Sequence, residues 1–161
     1  MDVLISSFPP IIALQPKILI LGTMPSVTSL QDSEYYAHPG NTFWRIMSAI
    51  EGVDCPTDYE KKKQLIRNMG LALWDVCHTC IRPGSADSAI SNEEPNQIKE
   101  LLAAHPSIHT ILFNGKTAEK LFYRHLKKIE GINMFAMPST SPAYTLSFEK
   151  KLETWKSKLQ I

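Results

Sequence analysis

The sequence has few cysteines, no long apolar run and no excess of charge of either sign. Its three cysteines are too few for a disulfide framework, which favours a reduced, cytoplasmic protein. No apolar segment approaches the length of about 18 residues that a membrane helix needs, and no signal pattern opens the chain, so we expect neither a membrane span nor export. A net charge of +1 excludes a polycationic nucleic-acid coat, although an enzyme acting on DNA needs only a local positive groove.

Several common catalytic and cofactor motifs are also missing. No Gly-x-Gly-x-x-Gly follows a predicted strand and no Gly-x-x-x-x-Gly-Lys-Ser/Thr occurs, so the usual phosphate cradles for dinucleotides and nucleoside triphosphates are lacking. The absence of Gly-x-Ser-x-Gly argues against an α/β-hydrolase nucleophile. Cys77 and Cys80 have the spacing of a metal or redox pair, but Cys55 is the only other cysteine. We therefore expect core or loop cysteines rather than a metal site.

Four apolar runs alternate with helical patterns along the chain. With 43% hydrophobic and 20% charged residues, the composition is that of an ordinary globular protein, and we expect one domain over residues 1–161. Alternation of buried strands and helices predicts an α/β fold with a parallel sheet and helices on both faces. The predicted strands are 17–22, 71–76, 108–113 and 132–137.

Helix signals separate these strands. Pro39 and Gly40 break the chain before a helix that starts near Thr42, where Asn41 or Thr42 can cap the first turn. A later helix is predicted to begin at Ser91 or Asn92, with Glu93 and Glu94 in its first turn. Residues 1–16 are expected to form an arm packed on the domain.

The loops after the first, second and fourth predicted strands should rim one crevice, because parallel strands end at the same edge of a sheet. That crevice would combine aromatic rings with amide, carboxylate and hydroxyl groups. Such a set suits a flat polar ring, and an enzyme acting on an extruded base needs such a site. The polar candidates in these loops are Tyr36, His38, Asn41, Asp75, His78 and Arg82.

Three strings occur on these elements in order: residues 22–26 after the first strand, 36–44 before the first long helix, and 138–143 after the fourth strand. Together they resemble the uracil-DNA glycosylase superfamily. The likeness is to the mismatch-specific uracil/thymine glycosylases and, closer still, to the hypoxanthine-DNA (deoxyinosine) glycosylase branch. The string Ala-His-Pro-Gly-Asn-Thr-Phe-Trp, residues 37–44, is its most specific part.

The resemblance implies a three-layer α/β/α sandwich with a central four-stranded parallel sheet of order 2-1-3-4. It implies a base-excision enzyme that hydrolyses the N-glycosidic bond of deaminated bases flipped out of DNA, hypoxanthine first and uracil in mismatches second, without a metal or organic cofactor. Its partner would be double-stranded DNA containing deaminated bases, bound by a monomer in the cytoplasm, at the nucleoid in a bacterium or archaeon. No lysine is obviously placed to form a Schiff base, which indicates a monofunctional glycosylase.

The resemblance also assigns roles to individual positions. Asn41 is implied to be catalytic, and Tyr36 stands where the family's base-stacking aromatic stands. Tyr144 or Leu146 would be the wedge that enters the minor groove. The implied base-binding residues are Gly22, Thr23, Met24, Tyr36, His38 and Asp75, and the implied DNA-binding residues are Pro25, Ser26, Ser139, Thr140, Ser141, Pro142 and Tyr144.

Four of these positions have alternatives. Asn41 could serve only as a helix cap, Asp75 could only fix the following loop, and His38 could bond the backbone or a phosphate. Met24 stands where many superfamily members carry a water-activating Asn or Asp, and a thioether cannot replace that strong hydrogen bond. This departure favours hypoxanthine over uracil as substrate. It also leaves the alternative of a catalytically weak or inactive module that binds damaged DNA. The near-neutral net charge leaves a further alternative, an enzyme acting on free nucleosides or another small ligand.

Overall fold

The computed structural model describes residues 3–159. The strands are β1 (Leu4–Ser6), β2 (Ile11–Ile12), β3 (Ile18–Gly22), β4 (Leu71–Asp75), β5 (Cys77–Ile81), β6 (Ser91–Pro95), β7 (Thr110–Asn114) and β8 (Asn133–Met137). The helices are α1 (Val27–Asp32), α2 (Phe43–Glu51), α3 (Tyr59–Asn68), α4 (Ile98–Ala104), α5 (Lys116–His125) and α6 (Phe148–Leu159).

The central sheet has five strands in the order β2-β4-β3-β7-β8. Strands β4, β3, β7 and β8 run parallel to their neighbours, which confirms the predicted four-stranded parallel sheet of order 2-1-3-4. The sequence pattern does not predict the fifth strand, β2, which pairs antiparallel with β4 through Ile11 and Leu73. Two apolar residues next to prolines are too short a run to show a strand period.

Residues of β3 alternate between two hydrophobic cores. Ile18 and Ile20 belong to the cluster that contains the apolar sides of α2, α3 and α6. Leu19 and Leu21 belong to the cluster that contains those of α4 and α5. All four side chains are at most 1% exposed. Since successive side chains of a strand point to opposite faces, helices cover both faces of the sheet, which confirms the α/β/α sandwich.

One predicted helix start is wrong. Residues 91–95 form β6, which pairs antiparallel with β5, and the helix begins at Ile98. Glu93 Oε1 forms an ion pair with Arg124 Nη1 of α5 at 2.6 Å. Its carboxylate therefore makes a tertiary contact and does not lie at a helix N-terminus. Pairing with β5 supplies backbone partners that outweigh the local capping signals of the segment.

The chain's N-terminal part packs on the sandwich, as expected for the predicted arm; residues 1 and 2 of that arm lie outside the described part. β1 pairs with β5 to form, with β6, a separate three-stranded antiparallel sheet. The Phe8 ring meets the Tyr35 ring edge-on at a centroid distance of 5.2 Å. These contacts attach the arm to the small sheet and to the core of the sandwich.

The cysteines of β5 are core residues, as predicted. Cys77 and Cys80 are fully buried, and burial raises the pKa of the Cys77 thiol to about 12. Within residues 3–159, no group of three or more His, Cys, Asp and Glu side chains could hold a metal ion. In the same range, no helix is both long and apolar enough to span a bilayer.

Candidate active site

A cavity of about 600 Å³ opens at the edge of the sheet where the parallel strands end. This volume lies within the range of sites that take small molecules and cofactors. The residues to which the resemblance assigned catalytic, base-binding or DNA-binding roles all line it, so the three strings converge as predicted; the roles of these residues remain predictions. They are Gly22, Thr23, Met24, Pro25, Ser26, Tyr36, His38, Asn41, Asp75, Ser139, Thr140, Ser141, Pro142 and Tyr144.

Gly22 brings two polar side chains together at the cavity. It is the register partner of Asp75 across β3 and β4. A Cβ atom on residue 22 would lie 2.5 Å from Asp75 Oδ1 and 2.7 Å from Tyr36 Oη. Only glycine therefore leaves room for the carboxylate and the phenol to meet over the backbone of residue 22.

The Asp75 carboxyl group is buried with one oxygen unpartnered. Asp75 is 3% exposed, and its Oδ2 atom has no hydrogen-bond partner within residues 3–159. The Tyr36 hydroxyl is also buried without a hydrogen bond of standard geometry in that range, although the Asn114 side chain lies close enough to oppose the rise in its pKa that burial causes. Burial raises the pKa of Asp75 to about 7; Asp87 adds to the rise and the Arg82 guanidinium opposes it. A buried carboxyl group that titrates near neutrality in a cleft is typical of a functional site.

Tyr36 supplies an aromatic wall held from behind. One face of its ring stacks on Phe43, with a centroid distance of 4.3 Å and an interplanar angle of 27°. Phe43 is buried in the first turn of α2, so the wall is anchored to a helix. The φ angle of Tyr36 is 53°, a left-handed conformation that costs a non-glycine residue about 1–3 kcal/mol and is concentrated at functional sites.

Asn41 is a helix-capping residue that also lines the cavity. Its Oδ1 atom accepts a hydrogen bond of 3.0 Å from the Phe43 N–H, while Thr42, the N-cap residue by backbone position, makes no side-chain cap bond. Asn41 is only half-buried. The capping bond therefore fixes the amide without removing it from the cavity, so the two interpretations of Asn41 are compatible.

His38 bonds the backbone, one of the alternatives open for it. The Gly40 N–H donates to His38 Nδ1 at 2.9 Å, so a neutral imidazole carries its proton on Nε2. A Cβ on Gly40 would lie 3.2 Å from both His38 Nδ1 and Pro142. The turn at residues 38–40 therefore also sets how closely Pro142, in the loop after β8, can approach Gly40.

The loop after β8 is organised by hydrogen bonds from neighbouring segments. Asn114 Oδ1 accepts from the Thr140 N–H, and Asn114 Nδ2 donates to Thr140 Oγ1, both at 3.0 Å. Thr42 N–H donates to the Thr140 carbonyl at 3.0 Å. Ser139 and Ser141 accept N–H bonds within the loop, which leaves their hydroxyl protons free to donate.

Burial bears on some of the predicted roles. Thr140 is fully buried, so its side chain positions the loop; its predicted DNA contact stays a prediction. Pro25 is also buried, and its carbonyl accepts from Arg82. Met24 is 6% exposed and belongs to the core between the sheet and α4–α5.

Two polar candidates of the crevice lie elsewhere. His78 is exposed on β5 and does not line the cavity. Arg82 is 5% exposed, and its donors reach the carbonyls of Pro25 and Gly84. It therefore braces the loop after β3 from behind, because a guanidinium can bind several carbonyls at once.

Sequence reasoning missed the contribution of the loop after β7. Asn114 and Gly115 line the cavity, and the Asn114 side chain holds the loop after β8. The rule that parallel strands end at one edge applies equally to the third predicted strand and would have placed both residues there. Ser29 is also part of the lining; its hydroxyl accepts from the Ala37 N–H at 3.0 Å, a contact without a sequence signal.

Comparison with known proteins agrees with this geometry. The model of the uracil DNA glycosylase superfamily matches residues 9–160. A hypoxanthine DNA glycosylase of Methanosarcina barkeri is 34% identical over 149 residues, 92% of this chain and 93% of the relative. A second, from Methanosarcina acetivorans, is 34% identical over 151 residues, 93% of this chain and 94% of the relative.

A solved structure has the same fold. The solution structure of a candidate uracil DNA glycosylase from M. acetivorans superimposes with a TM-score of 0.83 at 31% sequence identity and covers 98% of both chains. The fold, the family match over nearly the whole length and the converging loops agree with one another. The chain therefore belongs to the uracil DNA glycosylase superfamily and is a DNA glycosylase.

Proposed function

We propose that this protein excises hypoxanthine from double-stranded DNA and uracil in mismatches as a second substrate. The observation that carries the proposal is the Asn41 amide, fixed by the Phe43 N–H at 3.0 Å on the wall of the cavity. The relatives named hypoxanthine DNA glycosylase support hypoxanthine as the first substrate. A base would have to leave the helix to reach this cavity, as in other enzymes that act on bases.

Asn41 would act by hydrogen bonding rather than by proton transfer. An amide does not take up a proton near neutral pH, so it cannot be a general base. Because Oδ1 accepts one bond from Phe43, a second lone pair remains to orient a water molecule, and the Nδ2 hydrogens can donate to the departing base. Within residues 3–159, no protein group accepts from Asn41 Nδ2 within hydrogen-bond distance, and this supports the donor role.

The bond would break largely dissociatively, with an oxocarbenium-like sugar that nearby negative charge, including DNA phosphates, stabilises. Negative charge on the departing base would be met by backbone N–H groups of the loop after β3, in the manner of an oxyanion hole. No lysine is among the described residues that line the cavity, which supports hydrolysis by a monofunctional enzyme rather than a Schiff base.

The loop after β8 is our candidate for the segment that enters the minor groove. Tyr144 is 48% exposed at the cavity rim, whereas Leu146 is half-buried, so we favour Tyr144 as the wedge. Ser26, Ser139, Ser141 and Pro142 would contact the DNA backbone, where short hydroxyls commonly bind phosphates.

Met24 makes uracil the weaker substrate in this proposal. Its apolar side chain is almost fully buried and offers no strong hydrogen bond to a water molecule. Among the residues of the three strings, activation of water would then depend on Asn41 alone. Uracil would be cleaved more slowly than hypoxanthine if its N-glycosidic bond is the less labile of the two.

The test is single-turnover excision from duplex oligonucleotides that carry inosine or uracil, read out by alkaline strand cleavage. We expect cleavage with inosine, weaker cleavage with uracil, and loss of cleavage in Asn41→Ala. No scission on either duplex, or an Asn41→Ala variant as active as the wild type, would refute the proposal. Free deoxyinosine is the control, because cleavage at the duplex rate would indicate a nucleoside enzyme instead.

Two further measurements test the remaining parts. Tight binding to an abasic duplex without any turnover would favour the alternative of a damaged-DNA-binding module. We also propose that the chain acts as a monomer and as one domain, and size-exclusion chromatography with and without duplex would detect a larger assembly.

A further inference from the structure

Hydrolysis of an N-glycosidic bond releases a proton from the attacking water, and the residues given a role so far include no group that takes it up. Asn41 can orient the water, but an amide binds no proton near neutral pH. Met24, next to the strand end, offers only a buried thioether. A general base elsewhere on the cavity wall would therefore complete the proposed reaction.

Few side chains of the cavity can serve as that base. Of the described residues that line it, those with ionisable side chains are Tyr35, Tyr36, His38, Asp75, Asp87 and Tyr144. The three phenols keep their protons near neutral pH, and burial raises the pKa of Tyr35 and of Tyr36 further. His38 Nδ1 already accepts the Gly40 N–H at 2.9 Å, so a neutral imidazole has no free lone pair. The choice is therefore between two carboxyl groups.

The two carboxyl groups differ in their depth. Asp75 is 3% exposed at the end of β4, whereas Asp87 is an exposed residue of the connection between β5 and β6. When a base is flipped into a pocket, its sugar stays bonded to the DNA backbone. The C1′ atom therefore stays nearer the cavity mouth than the base does, and Asp87 is the carboxyl group better placed for a water that attacks C1′.

Side-chain contacts hold the segment of residues 82–88 against the loop after β3. The Thr23 hydroxyl donates to Asp87 Oδ1 at 2.9 Å, and the Val27 N–H donates to Ser85 Oγ at 2.9 Å. The bond from Thr23 occupies one carboxylate oxygen and leaves the other to bind water. Asp87 is thus fixed beside the loop whose backbone N–H groups would meet the departing base.

The surroundings of Asp87 suit a group that takes up a proton. The loops around its carboxyl group desolvate it enough to raise its pKa, which makes the carboxylate a stronger base. The hydrogen bond from Thr23 and the Arg82 guanidinium oppose this rise and favour the ionised form. The charge of Asp87 also raises the pKa of Asp75 and of Tyr36, which indicates that it lies close to the aromatic wall.

We propose that Asp87 is a catalytic residue of the proposed hypoxanthine excision and acts as the general base for the attacking water. This inference rests on the proposed function. The Asp87 carboxylate takes a proton from the water while the water oxygen bonds to C1′. The C1′–N9 bond breaks, and its electron pair leaves with hypoxanthine, which takes a proton from solvent. Asp87 then returns its own proton to solvent, so one water molecule is consumed.

The first test is Asp87→Asn, which keeps an oxygen for the Thr23 hydroxyl but cannot take up a proton. We expect single-turnover excision from an inosine duplex to fall at least about 100-fold. Affinity for an abasic duplex should stay the same or rise, because a negative charge beside the phosphates is lost. Asp32→Asn is the control for lost charge, since Asp32 is exposed at the end of α1 and does not line the cavity; it should keep the wild-type rate.

Chemical rescue separates catalysis from a structural role. In Asp87→Ala the missing carboxylate leaves room for formate, so sodium formate should restore part of the excision rate, whereas sodium chloride of equal ionic strength should not. Asn41→Ala should gain nothing from formate. An Asp87→Asn variant as fast as the wild type, or an Asp87→Ala variant that formate does not restore, would overturn the inference while inosine excision stands. A wild type that cleaves no inosine would overturn the proposed function instead.

Discussion

At the scale of single residues, Asn41 combines a structural and a proposed chemical role through different atoms. Its Oδ1 atom is held by the Phe43 N–H, and its Nδ2 atom is the group left for a substrate. The local sequence gives both roles, since Asn at a helix start caps and an amide at a helix N-terminus can face a ligand.

The two roles of Asn41 separate in a pair of variants. Asn41→Asp keeps an oxygen for the Phe43 N–H but loses the Nδ2 donor, whereas Asn41→Ala loses both. We expect both variants to lose at least about 100-fold in single-turnover inosine excision. Only Asn41→Ala should also lose about 1 kcal/mol in urea unfolding. An active Asn41→Asp would show that the oxygen, not the amide nitrogen, carries the chemistry.

Gly22 offers a second test at this scale. In Gly22→Ala the new Cβ would crowd Asp75 Oδ1 and Tyr36 Oη at 2.5 and 2.7 Å, so we expect a destabilisation of about 1–3 kcal/mol and loss of inosine excision. Gly131→Ala is the control for destabilisation without crowding at the site, because its φ of +80° strains an alanine while a Cβ there has no neighbour within 4 Å. Equal activity of both variants would mean that the close approach at Gly22 is not needed.

At the scale of elements, the loop after β8 is braced by the helix that follows it. Lys151 of α6 is 2% exposed. Its ammonium donates to the Ser141 carbonyl at 3.1 Å and lies 5.5 Å from the centroid of the Tyr144 ring. Burial lowers the pKa of Lys151, because desolvation disfavours the charged ammonium. This brace therefore fixes the geometry of the loop but lowers the free energy of unfolding of the protein.

Lys151→Met tests the brace. The substitution keeps an unbranched, flexible side chain of similar length and removes the charge, so we expect unchanged or higher stability in urea unfolding. Without the bond to Ser141 and the cation next to Tyr144, duplex affinity should fall about 3- to 10-fold. Lys150→Met, at the exposed neighbouring position, is the control for lost charge alone. The same affinity loss in both variants would show a general electrostatic effect.

At the scale of the whole molecule, the cavity places a buried carboxyl group where it weakens the fold at high pH. Folded Asp75 keeps its proton up to about pH 7, whereas the unfolded chain releases it near the ordinary value of 3.8. The unfolded state therefore binds fewer protons between these values, and stability falls as the pH rises from about 4 to 7. Retention of such a group is consistent with a function that needs it.

Asp75→Asn removes this penalty. We expect the variant to gain stability relative to the wild type, and to gain about 3 kcal/mol more at pH 8 than at pH 5, from a shift of roughly 3 pKa units. Urea unfolding of both proteins at the two pH values measures the difference. A gain that does not depend on pH would mean that Asp75 is already ionised in the folded protein at pH 5.

The sequence by itself determined the parallel sheet and the meeting of its loops. The four apolar runs, the break at Pro39 and Gly40 and the capped start of α2 are local patterns, and local patterns are readable because period and capping act over a few residues. Because the predicted strands run parallel, Gly22, Asn41 and Asp75 are expected at the same edge of the sheet.

Only the tertiary structure decided where backbone pairing and burial overrule local preference. Residues 91–95 become β6 because β5 lies beside them, and Thr140 is turned inward because Asn114 binds it. The close approach of Asp75 Oδ1 and Tyr36 Oη depends on three segments, distant in sequence, that meet at Gly22. Such contacts join residues far apart in sequence, and the amino-acid pattern of one segment does not indicate which other segment packs against it.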